Sequence, residues 1–272
     1  MHGSVALLPL TPFPGVARAG LVRCVRDDFF DTHMQAIPSL DTSEFLIGTA
    51  EWTDLPSCIG CLMDGFYKDI LTLAKDEFSE EEMEAIGPTL EIFNDSFQRL
   101  TRFLLTWEAR RRLAPSLDQG GLARTSANNA LMLVLQERSS GEIVGVAEMS
   151  QQPCDGKVPG DIRLPRLPWV EADSAIPPQV AYLSNLAVRS AWRGRGLGRS
   201  LINACEQVAR RWDFDEIYLH AATQQEGLLS MYSSMEYVSL PSFDQPPWVL
   251  ALSGREPTRY HRKALLAPPH ES

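Results

Sequence analysis

Apolar positions change their spacing about half way along the chain. Between Pro56 and Lys75 they recur every three or four residues (Ile59, Leu62, Met63, Phe66, Ile70, Leu73), the spacing that lines one face of a helix. A second stripe passes through Met83, Ile86, Leu90, Phe93, Phe97, Leu100, Leu104 and Trp107. It predicts one long helix whose apolar face packs on the core. Ahead of this stripe, "FSEEEM" supplies a start signal: Ser79 as N-cap, Glu82 three residues on to close a capping box, and carboxylates in the electropositive first turn. The acidic run 76–84 reads as a solvated face. Pro88 lacks the N–H that would bond to Glu84, so it predicts a kink or a break in the helix.

Beyond residue 129 the pattern changes to that of strands. "ALMLVLQE" (130–137), the turn "RSSG" and "EIVGVAEMS" (142–150) predict a hairpin of two buried strands. The stretch 153–178 is rich in proline and without period, which predicts a long loop. "VAYLSNLAV" (180–188) is a strand, and "GRSLINACEQVARRW" (198–212) a helix with Leu201, Ile202, Cys205 and Val208 on its apolar face. "EIYLHAA" (216–222) is the next strand, followed by a helix over 224–235. Strand, turn, helix and strand make a βαβ unit, so the strands at 180 and 216 should lie parallel and adjacent. Near the start, "GLVRCV" (20–25) has strand character, whereas 27–55 show no readable period.

Composition narrows the class. The 272 residues, 44% of them hydrophobic, suffice for one large domain or one domain with an elaborated half. A net charge of −10 argues against a nucleic-acid binder, which needs a dominant basic face. No apolar run approaches the ~18 residues that span a bilayer, so a soluble protein is expected. Five scattered cysteines, Cys24, Cys58, Cys61, Cys154 and Cys205, suggest free thiols in a reducing compartment. Cys58 and Cys61 form a C-x-x-C with no second pair and no histidine nearby; two small residues on one helix face is the plainer reading, and no metal is expected. Residues 1–26 carry arginines but no acid before Asp27, as organelle transit peptides do, although a flexible tail reads equally well.

One stretch stands apart: "LAVRSAWRGRGLGRSL" (186–201). Arg189, Arg193, Arg195 and Arg199 surround Gly194, Gly196 and Gly198 between a strand and a helix. A glycine turn that opens a helix lets backbone N–H groups converge on an anion, and the helix N-terminus adds partial positive charge. A phosphate or pyrophosphate is the expected ligand. The spacing is not that of a P-loop, and it fails the dinucleotide fingerprint because Arg199 stands where a small residue is needed.

The pattern R-x-x-G-x-G does fit, and "VRSAWRGRGLG" (188–198) resembles motif A of the GNAT superfamily of acetyl-CoA-dependent N-acetyltransferases, with Ser190 in place of the motif's proline. The resemblance covers roughly 130–263. Downstream, "WDFDEIYLHAATQQEGLLSMYSSMEY" and the loop "FDQPPW" resemble the end of the plant and algal plastid-type members. The resemblance implies an α/β fold with a mixed central sheet flanked by helices, here with an enlarged N-terminal helical segment. It divides the chain into a tail or transit remnant (1–19), an elaborated first part (20–128), an acetyl-CoA-binding core (129–265) and a short tail (266–272). A plastid location goes with the subgroup, and a cytoplasmic one is the alternative.

Residue by residue, the resemblance implies that backbone N–H groups over Gly194, Arg195, Gly196, Leu197, Gly198 and Arg199 hold the CoA pyrophosphate, with the Arg193 and Arg195 side chains near its phosphates. Surface charge beside a turn is the plainer reading of those two arginines. Backbone of Leu186, Ala187 and Val188 would pair with the pantetheine arm as an added strand. At the position of the family's glutamate base stands Tyr182. A tyrosine with His220 in "IYLHA" is similar to the N-terminal acetyltransferases, where the pair works through water; a pKa near 6.5 suits the histidine to that task. Tyr232 falls where the family's tyrosine protonates the departing sulfur, and Glu148 is a reserve base or merely a strand residue at a splayed edge. Gln225 replaces an asparagine that bonds CoA and Leu228 replaces an alanine, so cofactor affinity is where this chain departs from the pattern. The expected acceptor is a protein amine, N-terminal or lysine, between a wall of helices (56–112) and the loop 240–257. A small amine or polyamine, or a CoA-binding module without catalysis, are the alternatives.

Overall fold

A computed structural model describes residues 37, 40–67, 70–119, 130–156, 178–244 and 257–265. The tails 1–19 and 266–272, the strand expected at 20–25, most of the loop 153–178 and most of the loop 240–257 lie outside the described residues. In chain order the elements are β1 (Phe45–Thr49), α1 (Leu55–Phe66), α2 (Ile70–Glu77), α3 (Glu80–Gln119), β2 (Ala130–Glu137), β3 (Ile143–Pro153), β4 (Gln179–Val188), α4 (Leu197–Arg211), β5 (Glu216–Ala222), α5 (Glu226–Ser234), β6 (Val238–Ser239) and β7 (Thr258–Ala264).

The hairpin expected at 130–150 forms, β2 pairing antiparallel with β3. Its turn closes on Glu137, whose carboxylate accepts N–H groups of Ser139 and Ser140 at 2.8 and 2.7 Å, while Gly141 takes the left-handed φ of +71° that the corner requires. Strand order among the described residues is β1-β2-β3-β4-β5-β7-β6. Every neighbouring pair is antiparallel except β4 and β5, the parallel pair that the βαβ pattern predicted. Strand β1, short and continuously apolar, was not read from the sequence, and neither were β6 and β7.

Each sheet face carries its own helices. On one face α4 lays Leu201, Ile202, Cys205 and Val208, all fully buried, against Leu133, Leu135, Leu183 and Leu219. On the other, α1 buries Cys58, Ile59, Cys61 and Leu62. Gly65 sets its distance from β4: a Cβ there would stand 2.7 Å from the Cβ of Ala187. The C-x-x-C is therefore packing. Burial pushes the Cys61 thiol up to about 11, and among the described residues no group of histidine, cysteine or acidic side chains could hold a metal.

Three expectations about the first half need correction. The helix read over 56–75 is two, α1 and α2, separated where Tyr67 turns extended (φ −114°, ψ 103°). The capping box of α3 forms as read, with Ser79 N–H on Glu82 at 2.9 Å and Glu82 N–H on Ser79 Oγ at 3.4 Å, but the helix then continues unbroken through Pro88 for 40 residues. Around Pro88 the helix is half-buried to exposed, so water can satisfy the Glu84 carbonyl that the proline leaves without a donor. The apolar stripe, finally, is not core: Phe93, Leu100, Leu104 and Trp107 are each more than half exposed. The sheet face is already occupied by α1, and α3 reaches it through a different face, that of Leu105, Ala109 and Leu113. Among the described residues no helix is long and apolar enough to cross a membrane.

Two outcomes follow. The hydrogen bonds from Ser139 and Ser140 hold the Glu137 carboxyl down at about 2, below its ordinary value. Its stabilisation is thus fully present above about pH 4.3 and is lost as pH falls toward 2; thermal melts of Glu137→Gln should lie below wild type at neutral pH and converge with it in acid. Gly65→Ala should cost about 1–3 kcal/mol in denaturant unfolding, the range for an overpacked contact.

Candidate active site

The site begins with a defect in β4. Side chains alternate along it, Ala181 and Leu183 toward α4 and Tyr182 toward the other face with Tyr218 and Tyr260. At Asn185 the alternation fails: φ is +52°, and the register with β3 slips between Val146 and Glu148. Such a bulge bends its strand and ends regular pairing. Accordingly β4 pairs with β5 only at Ala181–Ile217, Tyr182–Tyr218 and Leu183–Leu219, although both strands run on. Beyond Leu183 the two part company, and backbone of 184–188 faces the split with no partner strand on that side among the described residues.

A buried carboxylate fixes the bulge. Glu148 Oε2 accepts the Asn185 side-chain amide at 2.8 Å, and its Oε1 is paired with Arg112 from α3. Glu148 is fully buried in an interior strand, not at a splayed edge. Burial pushes its carboxyl above the usual range, against the pull of the Arg112 guanidinium. Asparagine is among the few residues that accept left-handed φ readily, which was a legible signal for Asn185; Arg112 had none.

At the far end of the split lies the glycine turn. Gly194 and Gly196 both have φ of +78°, and an added Cβ at Gly194, Gly196 or Gly198 would meet nothing within 4 Å. Residues 193–196 are exposed. The helical ladder of α4 starts with Ser200 N–H on the Gly196 carbonyl at 3.2 Å, so the amides of 197–199 stand ahead of it, in the position helices offer to anions. The turn is open on the side these amides face. Ser190, where the motif has proline, uses the N–H a proline would lack: its backbone N–H and Oγ both bond the Asp64 carboxylate of α1.

The arginines are engaged with protein groups. Arg193 donates to the carbonyls of Val188 and Asp64 at 3.0 and 3.1 Å, which occupies one of the backbone groups expected to meet the pantetheine arm. Arg195 pairs with Glu44 at 2.6 Å and lies over the Trp192 ring at 5.0 Å. Arg199 donates to Ser234 Oγ at 2.6 Å, tying α4 to α5. Leu186 is half-buried and Ala187 and Leu197 are buried. Gln225 is exposed at the start of α5, its carbonyl accepting the N–H groups of Leu228 and Leu229 at 3.0 Å, and Leu228 packs on the core.

Tyr182 and His220 are brought into direct contact, Oη to Nδ1 at 2.8 Å. The other ring nitrogen, Nε2, lies 3.2 Å from the Gly156 carbonyl. A carbonyl only accepts, so Nε2 carries the hydrogen and neutral Nδ1 accepts the Tyr182 proton. The pair forms a one-way relay from the phenol to the imidazole. His220 also lies against Tyr260, ring centres 4.7 Å apart. Tyr232 sits on the opposite face, buried in the α4 cluster, its ring 5.6 Å from that of Tyr237. Burial pushes its phenol well above the ordinary value, so it stays protonated.

The family profile of the acetyltransferase (GNAT) family matches residues 89–237, from the first third of α3 to the residue before β6. The chain belongs to that family. The mixed sheet flanked by helices is its fold, the chain is an acetyltransferase, and acetyl-CoA as acetyl donor goes with membership. A comparison with curated proteins found no match. Similar solved structures include PaiA N-acetyltransferase of Thermoplasma acidophilum in complex with coenzyme A, 13% identical over 81% of this chain and 98% of that one at a TM-score of 0.47. NAA60 of Arabidopsis thaliana in complex with acetyl-CoA is 14% identical over 81% and 98% at 0.47. A histone acetyltransferase HPA2 and related acetyltransferase of Corynebacterium glutamicum is 21% identical over 83% and 99% at 0.45.

The bulge yields its own test. Asn185→Val forces a β-branched residue into left-handed φ and should cost about 1–3 kcal/mol in unfolding experiments. Asn185→Gly removes the strain but also the bond to Glu148, and should fall between that variant and wild type.

Proposed function

We propose that the protein transfers the acetyl group of acetyl-CoA to amines of proteins, N-terminal α-amino or lysine ε-amino groups, by direct attack within a ternary complex. The observation that carries this reading is the Tyr182–His220 contact beside the split between β4 and β5. The glycine turn at 194–199 takes the pyrophosphate through backbone amides, and the backbone of Leu186 and Ala187 takes the pantetheine arm beside a Val188 carbonyl already held by Arg193. The thioester then lies in the split, between the Tyr182–His220 face and the Tyr232 face.

An amine is a nucleophile only once deprotonated. The Tyr182 hydroxyl, directly or through one water, accepts that proton while its own passes to Nδ1 of His220. The C–N bond forms as the C–S bond breaks, and Tyr232, held protonated by burial, gives its proton to the leaving sulfur. Its position on the opposite sheet face keeps acid and base apart, so neither neutralises the other. Positioning supplies much of the rate, because the thioester is already activated.

The net charge of −10 favours a cationic acceptor, and an added wall of helices over the Tyr182 face suits a peptide more than a small amine. The segment "WDFDEIYLHAATQQEGLLSMYSSMEY" and the loop "FDQPPW" support kinship with the plastid-type members, and the acid-free start of residues 1–26 supports a plastid address.

Incubation with labelled acetyl-CoA and a mixed peptide library, read by mass spectrometry, should yield acetylated peptides; turnover of spermidine alone would move the acceptor to small molecules. Tyr182→Phe and His220→Ala should each lower kcat roughly 100-fold, the worth of a positioned base, with little change in the KM for acetyl-CoA. The double variant should be no worse than either single one, since the two act as a unit. Full activity of the double variant at neutral pH would eliminate the relay.

A further inference from the structure

The stripe that the sequence directs toward a core is one the fold leaves in water. Phe93, Phe97, Leu100, Leu104 and Trp107 are spaced four, three, four and three residues apart and are 37–59% exposed. Met83, Ile86 and Leu90 extend the same spacing back toward the start of α3. Eight successive positions thus follow the a and d pattern of a coiled coil, a period that an ordinary packed helix has no need to keep. Ile92 and Phe103, 72 and 66% exposed, widen the strip. A contiguous apolar strip of this kind on a helix marks an interaction surface.

Charge selects the occupant. Every charged residue from Glu80 to Asp95 is acidic, whereas Arg99 to Arg111 hold four arginines and one glutamate, Arg112 being held by Glu148 of the sheet. Two copies of α3 lying antiparallel set each acidic half against the partner's arginine half; side by side in the same direction, like would lie on like. The antiparallel register is also available to the seam. About a two-fold axis between Gln98 and Arg99, Phe97 meets Leu100, Phe93 meets Leu104 and Leu90 meets Trp107, an a-to-d layer each time. The exposed fractions of the seven side chains equal about four fully exposed ones. At roughly 200 Å² for each that is on the order of 800 Å² per copy, the size of a stable interface.

We propose that α3 is a self-association surface, pairing two copies of this chain as an antiparallel two-stranded coiled coil. The surface is independent of the acetyl-transfer site: α3 turns Ala109 and Leu113 to its own sheet and the seam away from it.

Sedimentation equilibrium on the full chain at micromolar concentration should give twice the 30.3 kDa of one copy. Leu100→Glu/Leu104→Glu should halve that mass, with far-UV helicity and acetyl-CoA affinity unchanged. Spin labels at position 84 of the two copies should lie on the order of 40 Å apart, from a rise of about 1.5 Å per residue. A monomeric wild type overturns the proposal, including one whose Trp107 proves shielded by the chain's own residues. A dimer that survives the double substitution overturns it as well, and labels about 10 Å apart, a parallel pair's interaxial spacing, overturn the antiparallel arrangement.

Discussion

The hydrogen bond between the buried Glu148 carboxylate and the Asn185 amide governs the architecture of the site. It stabilises a left-handed residue in the middle of a strand, and that one residue stops β4 from pairing with β5 beyond Leu183. An unbroken parallel ladder would have no room for a substrate between the strands. Arg112 makes the device cost less: a lone buried carboxylate would be strongly unfavourable, but one held by a guanidinium and an amide has both oxygens satisfied. The same ion pair ties α3 to the sheet, so the position of that helix and the opening between β4 and β5 are set by one contact.

From that opening the division of labour follows. Side chains on either lip of the split alternate between two faces. One face holds the Tyr182–His220 pair among aromatic neighbours, and the other holds Tyr232, a residue of α5 buried in the α4 cluster. The glycine turn closes the far end, where the amides that open α4 have no intrahelical acceptor. Its arginines serve mainly to brace it: Arg193 and Arg195 hold the turn to the Val188 and Asp64 carbonyls and to Glu44, and Arg199 spans to α5. Positive potential remains at the turn, but the close contacts available to a phosphate are backbone amides.

Much of this was legible in the sequence, for definable reasons. Strands β2 to β5 and helix α4 were readable because each has one strong period and is bounded by turn residues. The Tyr182–His220 pair was implied by the family resemblance, and the two strands read as parallel and adjacent bring it together. What escaped was non-local. Nothing in "FLIGT" says that it will find the β2 edge, and the strand β7 depends on pairing with β5 across an intervening segment. The seam of α3 was read with the right residues and the wrong destination: a heptad stripe shows that a face must be covered, not by what. The face that α3 actually presents to the sheet is short, Leu105, Ala109 and Leu113, and gives a weaker hydrophobic signal than the longer aromatic stripe pointing away. Pro88 likewise marks a missing hydrogen bond, and solvent, which sequence does not show, decides whether that breaks a helix.

The central claim is that amides at the opening of α4 grip the diphosphate of acetyl-CoA. Isothermal titration of acetyl-CoA into wild type and into Gly198→Val tests it most directly, because the added side chain enters open space without backbone strain and fills only the anion's place. Saturable binding to the wild type that weakens at least about tenfold in the variant, a change of about 1.4 kcal/mol, is the predicted result. No binding to a well-folded wild type, or equal affinity for both proteins, would contradict it.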